Sequence, residues 1–582
     1  HWLRLAVDGG AAPIHRLVHA DGALLVNDAQ RIIALTPPAG FATEPGPGVA
    51  GAWSFPLALS PGETREVILA IPFAGEPDPA RLRSDPPALF ERLLAEQRAN
   101  WREQVDRVAL RLPTKEGEDL ARTLRASLAY MLVHSPRPVI RPGSRGYARS
   151  WIRDGALMAH ALLQLGHAEQ ARAFARWYAN FQQADGGIPC CVDALGTDPT
   201  LEHDSHGEFI HLLAETVRHT GDMTLARELW PAARRAAAHI LALRALRLTP
   251  EYDTPGMRRF RGLLPESASH EGYLQNPVHS YWDDFFALLG LKDAAWLAKR
   301  LGDDEAAGSY RAEHEAMRDD VAASIRLTMQ DKGLATIPAS ADLGDFDPTS
   351  TAIALSPTQE AGLLPPKALQ QTFDAYLAMV RERAAGSPRW PGYTPYEWRN
   401  VEALARMGRR TEAWALLRLL IADRRPPGWH AWPEVVWADP RRPDYIGDMP
   451  HGWAAGEFIR AVLSLIAYPC EADEALVIGA GLPPEWLEAP EGQRVHGLAT
   501  PFGRLDLDID HPTADTLRLR VGGTLRAPPG GVVLDLPPEA GRLASLDGAP
   551  FREASDTIKL TSVPSVVLIR HAPPSSSAPR SP

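Results

Sequence analysis

The chain has 582 residues, 45% of them hydrophobic and 23% charged, with a formal net charge of −11. That is globular composition, long enough for two to four domains. It lacks the basic character a nucleic-acid partner would require, and no apolar run of about 18 residues is present to cross a membrane. Cys190, Cys191 and Cys470 form neither a disulfide framework nor a zinc spacing, so no metal or cofactor is expected.

The opening "HWLRLAVDG" reads straight into strand alternation, and no signal peptide is visible in it. The start reads as a processed end or a boundary and leaves a periplasmic, secreted or cytoplasmic location open. Residues 1–85 alternate in short runs such as "HRLVHADGALLVND" and "TREVILAIPFAG", split by Gly and Pro. That pattern predicts a β-sandwich. "PPALFERLLAEQRANWREQVDRVAL" (86–110) has helical period and reads as a linker helix within 86–114.

From 115 to 470 amphipathic stretches follow one another, among them "GALMAHALLQLG", "GEFIHLLAETVRHTG" and "HGWAAGEFIRAVLSLI". Several are joined by short turns of the "TGDMTLA", "LGDDEAA" or "MGRRTEA" kind, the mark of αα-hairpins. Five or six such hairpins close into an (α/α)6 toroid. The longer aromatic loops fall opposite the tight turns and mark the functional end. Residues 471–572 alternate again ("GRLDLDIDH", "TLRLRVGG", "SVVLIRH") and predict a C-terminal β-domain, before a Pro/Ser-rich tail, 573–582, expected to be disordered. The expected fold is therefore multidomain and mainly α, a toroid flanked by two β-domains.

The long loops hold the candidate chemistry. "RSWIRDGAL" sets Trp151, Arg153 and Asp154 at a helix start, where Asp154 could simply cap the helix. Side by side, the charged donor and acceptor also suit adjacent sugar hydroxyls, with Trp151 as a stacking wall. The acid- and His-rich loop 185–208 includes Asp204 and His206 and reads as a polar pocket wall. "PESASHEGY" carries Glu266 and Glu271 on a loop, beside Tyr273, Tyr281 and Trp282, aromatic rings able to desolvate a carboxyl. "GWHAWPEVVW" places Glu434 between Trp432 and Trp437, with Asp448 and His451 following. Two facing carboxylates among aromatic platforms are what glycoside hydrolysis needs. No nucleophile elbow, phosphate loop or dinucleotide fingerprint is present.

"WIRDGAL", "HDSHGEFI", "PESASHEGY", "VEALARMGRRTEAWALLRLL" and "WPEVV…GDMPHGWAAGEFI" come in an order that resembles glucoamylase-like (α/α)6 glycoside hydrolases, over about 145–470. "NPVHSYWDDFFALLGLKDAA" and the C-terminal β-domain depart from that family. The resemblance implies an inverting hydrolase of a glucoside or glucan acting from the non-reducing end, without cofactor. It implies Arg153 and Asp154 on the terminal sugar and a general acid at Glu266 or Glu271, with Glu271 preferred. Glu434 would be the general base, and Trp151, Asp204, His206, Tyr273, Trp282, Trp432, Trp437 and His451 would line the sugar site. The expected partner is an oligo- or polysaccharide. A phosphorylase on the same barrel, a sugar epimerase and a non-catalytic carbohydrate-binding protein are the competing readings.

Overall fold

The structure, a computed structural model, describes residues 2–7, 14–28, 30–44, 50–72, 82–442, 444–540, 542–550 and 558–570. The chain divides into two compact units, His1–Gln104 and Val105–Pro582.

In the first unit Trp2–Val7 pairs antiparallel with Ala50–Pro56, which also pairs with Gly40–Glu44. A second sheet holds Leu17–Ala20, Ala23–Val26, Gln30–Ala34 and Leu69–Ala70. Asp21 and Gly22, both with positive φ, make the two-residue hairpin turn that the "DG" dipeptide favours. Leu24, Ala34, Trp53 and Phe55 form the core. Only Leu69–Ala70 of "TREVILAIPFAG" is strand, and the end of that stretch falls outside the described residues, as does the 573–582 tail.

Helix α1, Pro86–Val105, stops earlier than its charge pattern suggested. Ala109–Arg111 is instead a strand, paired with Arg494–His496. Val108 and Leu112 are buried while Ala109 and Arg111 are exposed, a period of two rather than 3.6. This strand completes the edge of a seven-stranded sheet that otherwise comes from the C-terminal region, beside a four-stranded sheet opened by Ala467–Cys470.

Twelve helices lie between 114 and 466: α2 (Thr114–His134), α3 (Ile152–Gln164), α4 (Ala168–Ala179), α5 (Asp204–Thr220), α6 (Met223–Ala245), α7 (Tyr281–Leu301), α8 (Asp304–Lys332), α9 (Pro348–Ile353), α10 (Pro366–Ala384), α11 (Trp398–Arg406), α12 (Arg410–Ala422) and α13 (Gly452–Ile466). The odd-numbered members α3 to α13 pack successively, and α13 returns to α3, closing a ring of six. The even-numbered helices pack outside them. The inner helices are buried almost throughout; all of α13 is. The tight turns run from inner to outer helices. Gly221 and Gly302 end α5 and α7 in the left-handed conformation, and Asp222 and Asp303 then cap α6 and α8 by accepting from Leu225 and Ala306 N–H groups. Where α5 crosses α7 the backbones nearly touch. A Cβ on Gly207 would sit 1.9 Å from the Phe286 carbonyl, and one on Gly290 would sit 2.7 Å from Gly207 Cα.

α7 begins at Tyr281. Val278 and Ser280 are held extended by bridges to Ser267 and Ser340, which carry the preceding loop across the ring's end.

Candidate active site

The six inner helices run in one direction, so their first turns and the long loops before them gather at one end of the ring. Trp151 precedes α3, and its backbone pairs with Cys191, so Arg153 and Asp154 fall in the first turn. Both are 2% exposed. Arg153 donates through Nη1 to Glu202. It lies 3.7 Å from Asp204 Oδ2, 3.9 Å from Asp154 Oδ2 and 3.9 Å from Glu271 Oε2. Its guanidinium sits 5.1 Å from the centre of the Trp453 ring. Burial drives the Asp154 carboxyl well above the usual carboxylate range; Arg153 opposes the shift, and the charges of Glu271 and Glu434 add to it. Burial also lifts Glu202 to about 7.

Glu271 stands at the end of a backbone knot. Ser269, His270 and Glu271 all have positive φ, costly for residues with a side chain, so the surroundings must hold them. His270 packs tilted against Trp282 with ring centres 4.7 Å apart, and the Ser269 hydroxyl meets His270 Nδ1 and Ser280 Oγ. Ser267 donates to Asp283 in the first turn of α7. The carboxyl so presented is 42% exposed and accepts from Trp151 Nε1 at 3.1 Å.

Glu434 reaches the same cluster from the loop before α13. Its Oε2 accepts from the Tyr147 hydroxyl and its Oε1 from Tyr396 at 3.3 Å. Burial raises its pKa and Glu271 raises it further, while the two phenols pull it back. Asp448 fixes this loop to the one before α3: its oxygens accept from the N–H groups of Arg145 (2.6 Å), Gly146 (3.1 Å) and Tyr147 (3.1 Å). Burial works against the Asp448 charge, but these donors more than offset it and hold the pKa below the ordinary value. Gly143 leaves room for the carboxylate, since a Cβ there would lie 2.4 Å from Oδ2.

The other sequence candidates divide. His451 caps α13, its Nδ1 accepting from Ala454 N–H, with its ring 5.5 Å from Tyr147. Burial lowers its pKa to about 3, leaving it neutral. Glu266 turns elsewhere, pairing with Arg247 and lying 3.7 Å from His279. Tyr273 donates to Asp345 at 2.6 Å. Three candidates are framework. Trp282 is fully buried and donates to Asp204 Oδ2 at 2.8 Å. Trp432 is buried against Trp398 and Phe458 and donates to the Leu420 carbonyl at 2.7 Å. His206 accepts from Ile188 N–H at 3.0 Å and so anchors the loop before α5. Asp204 is likewise wholly buried and bears on Arg153. Trp437 lies on the loop rim, donating to the Asp444 carbonyl under the Arg442 guanidinium.

Residues the sequence reading passed over complete the cluster. Tyr147 and Tyr396 hold Glu434. Arg399 is ion-paired with Glu457 at 2.9 Å and packed among Trp282, Tyr396 and Trp453. "RGYARSW" and "TPYEWRN" showed aromatics next to charges, but nothing in them named the carboxylate they would meet. Cys190, Cys191 and Asp198 alone approach metal-ligand spacing among the described residues, and Arg149 already donates to Asp198 and Cys191.

No family model and no curated protein matches the chain. Solved structures do match it in fold. An α-L-rhamnosidase from Dictyoglumus thermophilum aligns at TM-score 0.53 and 10% identity, over 90% of this chain and 53% of that one. A GH78 family rhamnosidase of Bacillus sp. GL1 aligns at TM-score 0.51 and 16% identity, over 75% and 43%. A bacterial glucoamylase complexed with acarbose aligns at TM-score 0.51 and 12% identity, over 77% and 72%. The chain thus spans about half the length of these rhamnosidases. The likeness is one of fold, that of (α/α)6-barrel glycoside hydrolases with additional β-domains.

Proposed function

We infer that the chain is an inverting glycoside hydrolase that removes a terminal sugar from an oligo- or polysaccharide. The observation that carries the reading is that Glu271 and Glu434, on loops before different inner helices, meet one cluster: Glu271 accepts from Trp151 and lies 3.9 Å from Arg153, and Glu434 accepts from Tyr147, whose ring is 5.8 Å from that of Trp151. Glu271, nearer solvent, is the general acid and protonates the glycosidic oxygen as the leaving group departs outward. Glu434, deeper and with a raised pKa, is the general base that takes a proton from water. Asp154 and Arg153 hold adjacent hydroxyls of the terminal sugar, and Trp151 and Trp453 wall the ring.

The sugar is a glucoside or an α-L-rhamnoside, the classes named for the fold's neighbours. The test is hydrolysis of both aryl-glycoside series, with the first-formed anomer read by NMR. Release of the anomer opposite in configuration to the substrate supports the assignment. Retention, or no turnover of any glycoside, overturns it.

A further inference from the structure

A cavity of about 630 Å³ lies at the other end of the ring from the Glu271–Glu434 cluster. It is walled by the C-terminal halves of α3, α5, α7, α11 and α13 and by the β-domain turns around Phe502 and Arg526. Its size is that of a small-molecule site, within the range of about 300–1,000 Å³.

Its floor holds buried polar atoms that no other group satisfies among the described residues. His211, 4% exposed, meets Asp293 Oδ2 through Nδ1 at 2.8 Å, and its opposite nitrogen Nε2 has no partner. Gln164, 7% exposed, has no partner for Oε1. Buried polar atoms left unmet are unfavourable, so hydroxyl groups, which both donate and accept, are what this floor takes. Burial depresses the neighbouring His160 to about 3, so that ring brings no charge.

The cations of the wall divide by depth. Arg218, Lys292, Arg406 and Arg460 are each paired with carboxylates: Asp293 and Glu215, Glu360 and Glu471, Glu402, and Glu457 respectively. Arg300 and Arg526 stand at the rim without an ion pair among the described residues; Arg300 lies 5.7 Å from the Trp296 ring centre. Buried polar atoms without partners sit inside, and the Arg300 and Arg526 guanidiniums sit outside, where Glu474 is an exposed carboxylate of the same wall.

We propose that this cavity binds a small polyhydroxylated anion, a sugar acid or a sugar phosphate. Its hydroxyls hydrogen-bond Gln164 and His211, and its anionic group faces Arg300 and Arg526. The site is separate from the Glu271–Glu434 cluster, and the proposal does not depend on the reaction assigned there.

Isothermal titration of the full chain tests it with gluconate and glucose 6-phosphate, against glucose and inorganic phosphate. The expected result is saturable binding of one or both polyol anions, with glucose and phosphate at least about 10-fold weaker. Which anion binds tells the carboxylate source from the phosphate source. The exposed double substitution Arg300→Ala/Arg526→Ala should weaken binding at least about 10-fold without lowering Tm, and Gln164→Leu at least about 5-fold. Asp154→Asn, at the opposite end, should change the affinity less than about twofold. No binding of either anion at about 10 mM overturns the proposal. So does an affinity unchanged in the double variant, or one lost in Asp154→Asn, which would assign the heat to the other site.

Discussion

Tyr147→Phe removes the phenol that donates to Glu434 Oε2 and leaves the ring in place beside Trp151 and His451. A hydrogen bond to a charged acceptor is worth about 1.5–3 kcal/mol. The lower end applies here, because the Tyr396 hydroxyl remains on Oε1 at 3.3 Å. With about 1.36 kcal/mol to the pKa unit, the loss amounts to about one unit. The bond favours the carboxylate, so removing it raises the pKa. If Glu434 must be ionised to take a proton from water, the acidic limb of the kcat/KM profile should move up by about one pH unit. Activity below that limb should fall about 10-fold, while activity on the plateau changes little. The assay is kcat/KM against pH for both proteins on one aryl glycoside. A limb unmoved within about 0.3 unit, or displaced downward, refutes the role given to Glu434 and to its phenol.

Glu271→Gln and Glu434→Gln should each lower kcat by at least about 100-fold, whereas Glu266→Gln, already committed to Arg247, should stay within about threefold of the parent. An active Glu271→Gln beside an inactive Glu266→Gln would reverse the choice of acid. Gly207→Ala forces a Cβ to 1.9 Å from the Phe286 carbonyl between two helices that cannot part, so it should destabilise by more than about 2 kcal/mol; an unchanged Tm contradicts that packing. Asp448 has a depressed folded pKa, so its stabilisation is present above about pH 4, its unfolded value, and is lost as pH falls through the folded value. Asp448→Asn should therefore cost about 1–3 kcal/mol at pH 7 and progressively less in acid, as read by urea unfolding. A deficit equal at pH 7 and at about pH 3 would show that its ionisation is not what joins the loops.

The helical ring could be read from local marks because its signals are local. A glycine in the left-handed conformation followed by a capping aspartate writes the α5–α6 and α7–α8 turns within a few residues, and the long aromatic loops are conspicuous by contrast. What could not be read depends on partners far along the chain. Ala109–Arg111 becomes a strand because Arg494–His496 lies beside it, and its charged neighbours had suggested more helix. Trp282 and Trp432 looked like sugar platforms because they flank acids in aromatic loops. Their indole N–H groups have partners inside the ring, Asp204 and the Leu420 carbonyl, so both rings could be buried. Tyr147 and Tyr396 were passed over for the converse reason: no spacing says which carboxylate a phenol will meet.

The ring is sealed by its last member. α13 is buried along its whole length and packs on α2, α3 and α11, so α2 and α3 have to wait for residues 452–466 to emerge. Until then, the faces of α2 and α3 that α13 will cover remain open to water. Such an intermediate exposes apolar surface while residues 165–451 are synthesised, which is when aggregation competes with folding. A truncation that ends before 452 should therefore leave an aggregation-prone nascent chain rather than a smaller working enzyme.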